Sequence, residues 1–169
     1  MANPGGRTAF VIAIADTSPL HYLILIDGVH LLPDLFESVV APPAVRRELT
    51  HPRAPVAVRA WMASPPWWLT VQVPRTVLAD RPARLGPGEH EALALAAEHP
   101  GAVLLLDDRL ARRYAQQRQW PMFGTLGLLD LLARRHPERL SFDAAVARLQ
   151  RTSFRADHAL LAAVRRRPR

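Results

Sequence analysis

Two short apolar runs that each end on acid, "AFVIAIAD" (9–16) and "AVLLLDD" (102–108), limit the fold more than any other feature of the chain. Neither alternates polar with apolar residues, so each reads as a strand covered on both faces. Between and after them lie segments with helical spacing. Strands alternating with helices imply an α/β protein, with a mainly parallel sheet between two helical layers. In such sheets the ligand site lies beyond the carboxyl ends of the strands. Asp16, Asp107 and Asp108 all fall there.

The spacing predicts the remaining elements. Ser18-Pro19 opens a helix, with Ser18 as its cap and Pro19 at its first helical position. A helical or turn segment follows over 29–36, then a brief strand over 38–42. Pro43 starts a helix carrying Glu48, and residues 54–64 have helical spacing. A strand is expected near 68–73, an exposed proline-rich loop over 74–85, and a helix over 86–99 that opens with glycines and acids. A basic helix spans 109–119. A short strand at "WPMFGT" and an amphipathic helix at "LGLLDLLARRH" follow, and two more helical patterns flank Ser153. The expected organisation is one domain over 1–169, with a core of about 9–160 and a basic tail over 161–169.

Composition removes whole classes of chemistry. The chain has no cysteine, so disulfides, zinc–thiolate sites and thiol catalysis are excluded. All 22 basic residues are arginine, which excludes a Walker A lysine and Schiff-base chemistry. Residues 1–108 hold 8 Arg against 11 acids, a net of −3, whereas residues 109–169 hold 14 Arg against 4, a net of +10. An acidic first part beside a basic last part suggests a cation site next to a surface for a polyanion, although arginines also fill solvated helix faces. Arg7 followed by "TAFVIAI" and Ala13-Ile14-Ala15 has the outline of a short secretory leader. The residues that follow continue a pattern that needs this segment as a strand, so a cytoplasmic, membrane-free protein is expected.

Four places carry acids that local structure does not demand. Asp16 follows the first strand, Glu48 sits late on its helix, Glu89 opens a helix after Gly86-Pro87-Gly88, and Asp107-Asp108 end an apolar strand. Each has a plainer role available: Asp16 as a cap, Glu89 as a partner of the helix dipole, Glu48 as a solvated acid, Asp108 as a cap or partner of Arg109. Brought together they would repel one another and call for a cation. Oxygen ligands without His or Cys suit Mg²⁺ or Mn²⁺. Competing motifs fail. Ser18 stands where an aspartyl-phosphate phosphatase has its second acid, "HEALA" lacks the second His of a zinc protease, and neither GxGxxG nor GxSxG occurs.

With those residues in hand, the chain resembles the PIN-domain family of VapC-type toxin ribonucleases. The motifs are "ADTSPL" (15–20), "PAVRREL" (43–49), "LGPGEHEAL" (85–93), "LLDDRLARRYA" (105–115) and "GTLGLL" (124–129), in order over roughly 10–160. The resemblance implies a three-layer α/β/α sandwich and an acidic pocket for one or two Mg²⁺ or Mn²⁺ ions. Asp16, Glu48, Glu89 and Asp107 match the family's acids, Asp108 is a possible substitute, and Ser18 matches a supporting hydroxyl. Glu89 departs from the Asp common at its place, and Asp107-Asp108 departs from the usual Thr/Ser-x-Asp. The implied activity is metal-dependent endoribonuclease, as the toxin of a toxin–antitoxin pair, a homodimer held by a cognate antitoxin. Arg109, Arg112 and Arg113 are expected along the RNA backbone, since their planar forks suit phosphates. A non-catalytic binding module and a small-molecule phosphohydrolase are the competing functions. Trp61, Trp67 and Trp68 are expected to close a core edge or a dimer face rather than stack bases. The "RRRPR" end is expected to fray.

Overall fold

In a computed structural model, residues 10–166 of the chain are described. The leader-like Arg7 and the last three residues of "RRRPR" lie outside them. Strand β1 (Phe10–Ala15) leads directly into helix α1 (Thr17–Leu25), and a 3-10 turn over Val29–Asp34 brings the chain to β2 (Phe36–Ala41). Helices α2 (Pro43–Leu49) and α3 (Val56–Ala63) precede the short β3 (Leu69–Val71). Then come α4 (Pro87–Glu98), β4 (Val103–Leu105), α5 (Arg109–Gln117) and β5 (Met122–Phe123). Helices α6 (Thr125–Arg135), α7 (Phe142–Leu149) and α8 (His158–Arg165) complete the described chain.

The five strands form one parallel sheet in the order β3-β2-β1-β4-β5. After β1 the chain builds outwards through β2 and β3, then crosses back to place β4 on the other side of β1. The order reverses between β1 and β4, and a crevice opens at such a point beyond the strand ends. Residue alternation divides the core into two layers. Ala13, Ala15, Val103 and Leu105 face one way, into a cluster with α1, α6, α7 and α8. Ile14, Val40 and Leu104 face the other way, onto α4 and α5. Leu104 and Leu105 are fully buried on opposite faces, and each such side chain contributes roughly 1.5–3 kcal/mol. The result is the three-layer α/β/α sandwich that the strand–helix alternation implies.

Two helices and one tryptophan differ from the sequence expectations. Helix α1 begins at Thr17, so Asp16 holds the N-cap position and Ser18 lies inside the first turn. Helix α8 buries Leu161 and Val164 in the core and pairs Arg165 with Asp143 at 3.1 Å, so ordered packing runs past residue 160. Trp61 and Trp68 pack together with ring centroids 5.9 Å apart and close a core edge, whereas Trp67 is 84% exposed.

Candidate active site

Asp16 is not a working cap. Its N–H donates to the Leu105 carbonyl at 3.0 Å, which extends the β1–β4 pairing by one residue and sets the carboxyl level with the end of β4. Its side chain makes no capping bond, and Oδ1 is buried without a hydrogen-bond partner. Burial, then the charge of Glu89, push its carboxyl up to about 8, with smaller pushes from Glu48 and Asp107 that the Thr17 N–H partly offsets. An isolated buried carboxylate is costly, and this one is pressed further by other acids.

Two helix ends bring those acids in. Glu48 lies in the last turn of α2 and accepts the Thr17 hydroxyl. Glu89 lies in the first turn of α4, where Pro87 fits the opening position. Its carboxyl is raised chiefly by burial, then by Asp108 and Glu48, against opposing main-chain N–H groups. Gly88 permits the close approach. A Cβ there would stand 2.8 Å from Asp16 Oδ1, 3.1 Å from Thr17 Oγ1 and 3.3 Å from Glu48 Oε1. Glu91, one turn along α4, accepts the Ala44 N–H at 2.7 Å and meets Arg47 at 3.4 Å, which ties α4 to α2.

Asp107 and Asp108 part company. Asp107 turns to the start of α6, where the Thr125 N–H donates to Oδ1 at 2.7 Å and the Thr125 hydroxyl to Oδ2 at 2.5 Å. Asp108 points the other way and caps α5, accepting the Ala111 N–H at 2.8 Å. Its charge still reaches Glu89. Arg112 is drawn in beside Asp107, with Nη1 donating to the Leu106 carbonyl at 2.9 Å. Arg109 and Arg113 are exposed on α5. Ser18 is half-buried; the hydroxyl on an acid at this corner is that of Thr17.

A family model described as "DUF3368: PIN domain" matches residues 12–168, nearly the whole chain. The chain belongs to the PIN-domain family. No curated protein matches it. PIN domains are in general nucleases and typically use divalent metals.

In this PIN domain, no three acidic or histidine side chains among the described residues stand as a ready cation cage. Several of the acids are engaged by protein donors: Glu48 by Thr17, Asp107 by Thr125, Asp108 by the α5 cap. What fits a hard divalent cation is the unpartnered Asp16 oxygen, the gap kept by Gly88, and an all-oxygen donor set. Sequence reasoning passed over Thr17, Gly88, Thr125 and Glu91 as individuals. All four sit inside the quoted motifs, and Glu91 reads there as an ordinary helix acid.

Thr125 supplies a test of how Asp107 is held. Thr125→Val keeps the shape and the main-chain donor but removes the hydroxyl. Partners that orient ligands typically contribute ten- to a hundredfold in metal affinity; if Asp107 holds an ion in a metal-dependent reaction, Thr125→Val is expected to raise the Mn²⁺ concentration needed for half-maximal activity by about that factor. Thr125→Ser restores it. Metal-dependence curves for the three proteins make the check.

Proposed function

We propose that this PIN domain is a metal-dependent endoribonuclease that hydrolyses RNA phosphodiester bonds. One observation carries the reading: a buried Asp16 oxygen without a partner, at the sheet's switch point, under the charges of Glu89, Glu48 and Asp107. Asp16 and Asp107 would hold the ion, Mg²⁺ or Mn²⁺, with Glu48 and Glu89 completing the set directly or through water. When bound, such an ion supplies Lewis acidity at the phosphate and a water of lowered pKa.

The chain's own groups do the rest. One of these carboxylates would orient the attacking water and take its proton. Thr125 fixes Asp107, and Gly88 keeps the hollow open. The guanidinium of Arg112, anchored on Leu106, offers fixed positive charge beside Asp107, where negative charge builds on the phosphate.

The toxin role, a cognate antitoxin, a homodimer and a cytoplasmic location complete the proposal. Among the described residues, no helix is long and apolar enough to cross a membrane. Co-purification with the product of a neighbouring reading frame tests the antitoxin. The engagement of Glu48, Asp107 and Asp108 by protein donors favours a second reading, a PIN module that binds RNA without cutting it. A cleavage assay decides between them: RNA should be cut with Mn²⁺ and left intact with EDTA. Phosphate monoesters should survive both conditions. Intact RNA under all conditions would leave the binding module, and rapid monoester hydrolysis would point to a phosphohydrolase.

A further inference from the structure

Helix α2 carries Glu48 but has no cap of its own. Pro42, at the N-cap position, makes no side-chain bond, and Pro43 has no N–H, so the Ala44 N–H is the first main-chain donor of the helix. Glu91 takes it. Its Oε2 accepts that N–H at 2.7 Å, and its Oε1 meets the Arg47 guanidinium at 3.4 Å. The donor lies on the helix of Glu48 and the acceptor on the helix of Glu89.

Helical spacing gives this tie its leverage. Ala44 and Glu48 are four apart on α2, and Gly88 and Glu91 are three apart on α4, so each pair shares a face. Glu91 meets Ala44 at one end of the contact. Gly88 closes on Glu48 at the other, where a Cβ would stand 3.3 Å from Oε1. At that second end the charge of Glu48 bears on both Asp16 and Glu89. Repulsion there spreads the two helices unless a bond between them resists it. With only seven residues, α2 keeps its shape through packing and end bonds rather than by itself. We propose that Glu91 is a positioning residue: by capping α2 from α4, it holds Glu48 at the separation from Asp16 and Glu89 that a divalent cation needs. Glu91 is not a ligand, and its hydrogen bond rather than its charge does the holding. The inference rests on the metal reading of the site and adds a residue which that reading does not use.

The test is calorimetric titration of the whole chain with Mn²⁺, at a temperature where every variant is folded, beside amide exchange in EDTA and RNA cleavage kinetics. Glu91→Leu removes the acceptor. It is expected to weaken Mn²⁺ binding by about tenfold, as loss of a ligand-orienting partner does. It should also lower kcat with KM for RNA unchanged, and speed exchange at the amides of 44–48. Glu91→Gln keeps an oxygen for the Ala44 N–H and should bring all of these back near the parent. Arg47→Gln removes only an exposed ion pair and should change none of them. Val146→Ala opens a cavity in the core under α7, so it should lower the melting temperature and leave Mn²⁺ affinity intact. A Glu91→Leu protein that binds Mn²⁺ as the parent does overturns the inference and spares the metal reading. Glu91→Gln as weak as Glu91→Leu shows charge at work and overturns it too, as does an equal loss in Val146→Ala, which reduces the effect to general stability. A parent that binds no Mn²⁺ ends the metal reading and the inference together. A parent that binds Mn²⁺ through this tie yet never cuts RNA upholds the inference and ends the nuclease reading.

Discussion

Asp16→Asn is expected to abolish RNA cleavage and, in EDTA at neutral pH, to raise the melting temperature. Both effects come from the same buried carboxyl. If Asp16 holds the ion as proposed, losing its charge removes several kcal/mol of transition-state stabilisation, on the order of a thousandfold in rate. The stability effect has the opposite sign. The folded carboxyl titrates at about 8, against an ordinary value of 3.8. A group whose pKa is raised by folding binds its proton more tightly in the native state. Its contribution is therefore intact below the unfolded carboxylate range and is lost as pH climbs through that range to about 8. The amide carries no charge and is spared this loss. The two proteins should melt together near the acid end of the window and diverge as pH rises, with the variant higher. Thermal scans across pH in EDTA, beside a cleavage assay, read both. A variant that melts lower throughout, or one that still cuts, contradicts the assignment of Asp16.

Gly88→Ala is expected to separate folding from function in another way. Gly88 lies inside α4 and needs no unusual backbone angle, so alanine favours the helix by about 1 kcal/mol. The new methyl, however, would enter the space between Asp16, Thr17 and Glu48, with its nearest atom 2.8 Å away. Asp16 is short and buried and has little room to yield, so the acids must spread. Cleavage and Mn²⁺ affinity should each fall at least about tenfold, as displaced ligand geometry does elsewhere. The melting temperature should hold within a few degrees in EDTA. If activity survives Gly88→Ala, the close approach of α4 is packing and not part of the site.

Much of this was present in the sequence because it depends on local pattern. The runs ending at Asp16 and Asp107 declare strands buried on both faces, and the parallel sheet follows. Helix α4 announces itself by Gly86-Pro87 and its spaced apolar residues. What the sequence left open depends on direction. Asp107 and Asp108 are neighbours with the same chemistry, and only the turn after β4 decides that one faces Thr125 and the other caps α5. Thr17 and Ser18 pose the same problem. Starting α1 two residues earlier, at Thr17 rather than Pro19, rotates the hydroxyls, so Thr17 rather than Ser18 meets Glu48. Arg112 reads like its neighbours Arg109 and Arg113, yet helical phase turns it inwards to Leu106. The tie from Glu91 to Ala44 joins residues 47 positions apart, a contact that periodicity does not carry.

Mn²⁺ titration followed by thermal unfolding examines the proposed cation site without any substrate. An ion that binds only the folded state raises stability by about 2.7 kcal/mol at a hundred times its dissociation constant. The parent should therefore gain several degrees as Mn²⁺ is added, saturably, and Asp16→Asn should gain nothing. A parent whose melting temperature ignores Mn²⁺ up to millimolar concentration, or an Asp16→Asn protein that responds as the parent does, would contradict the account.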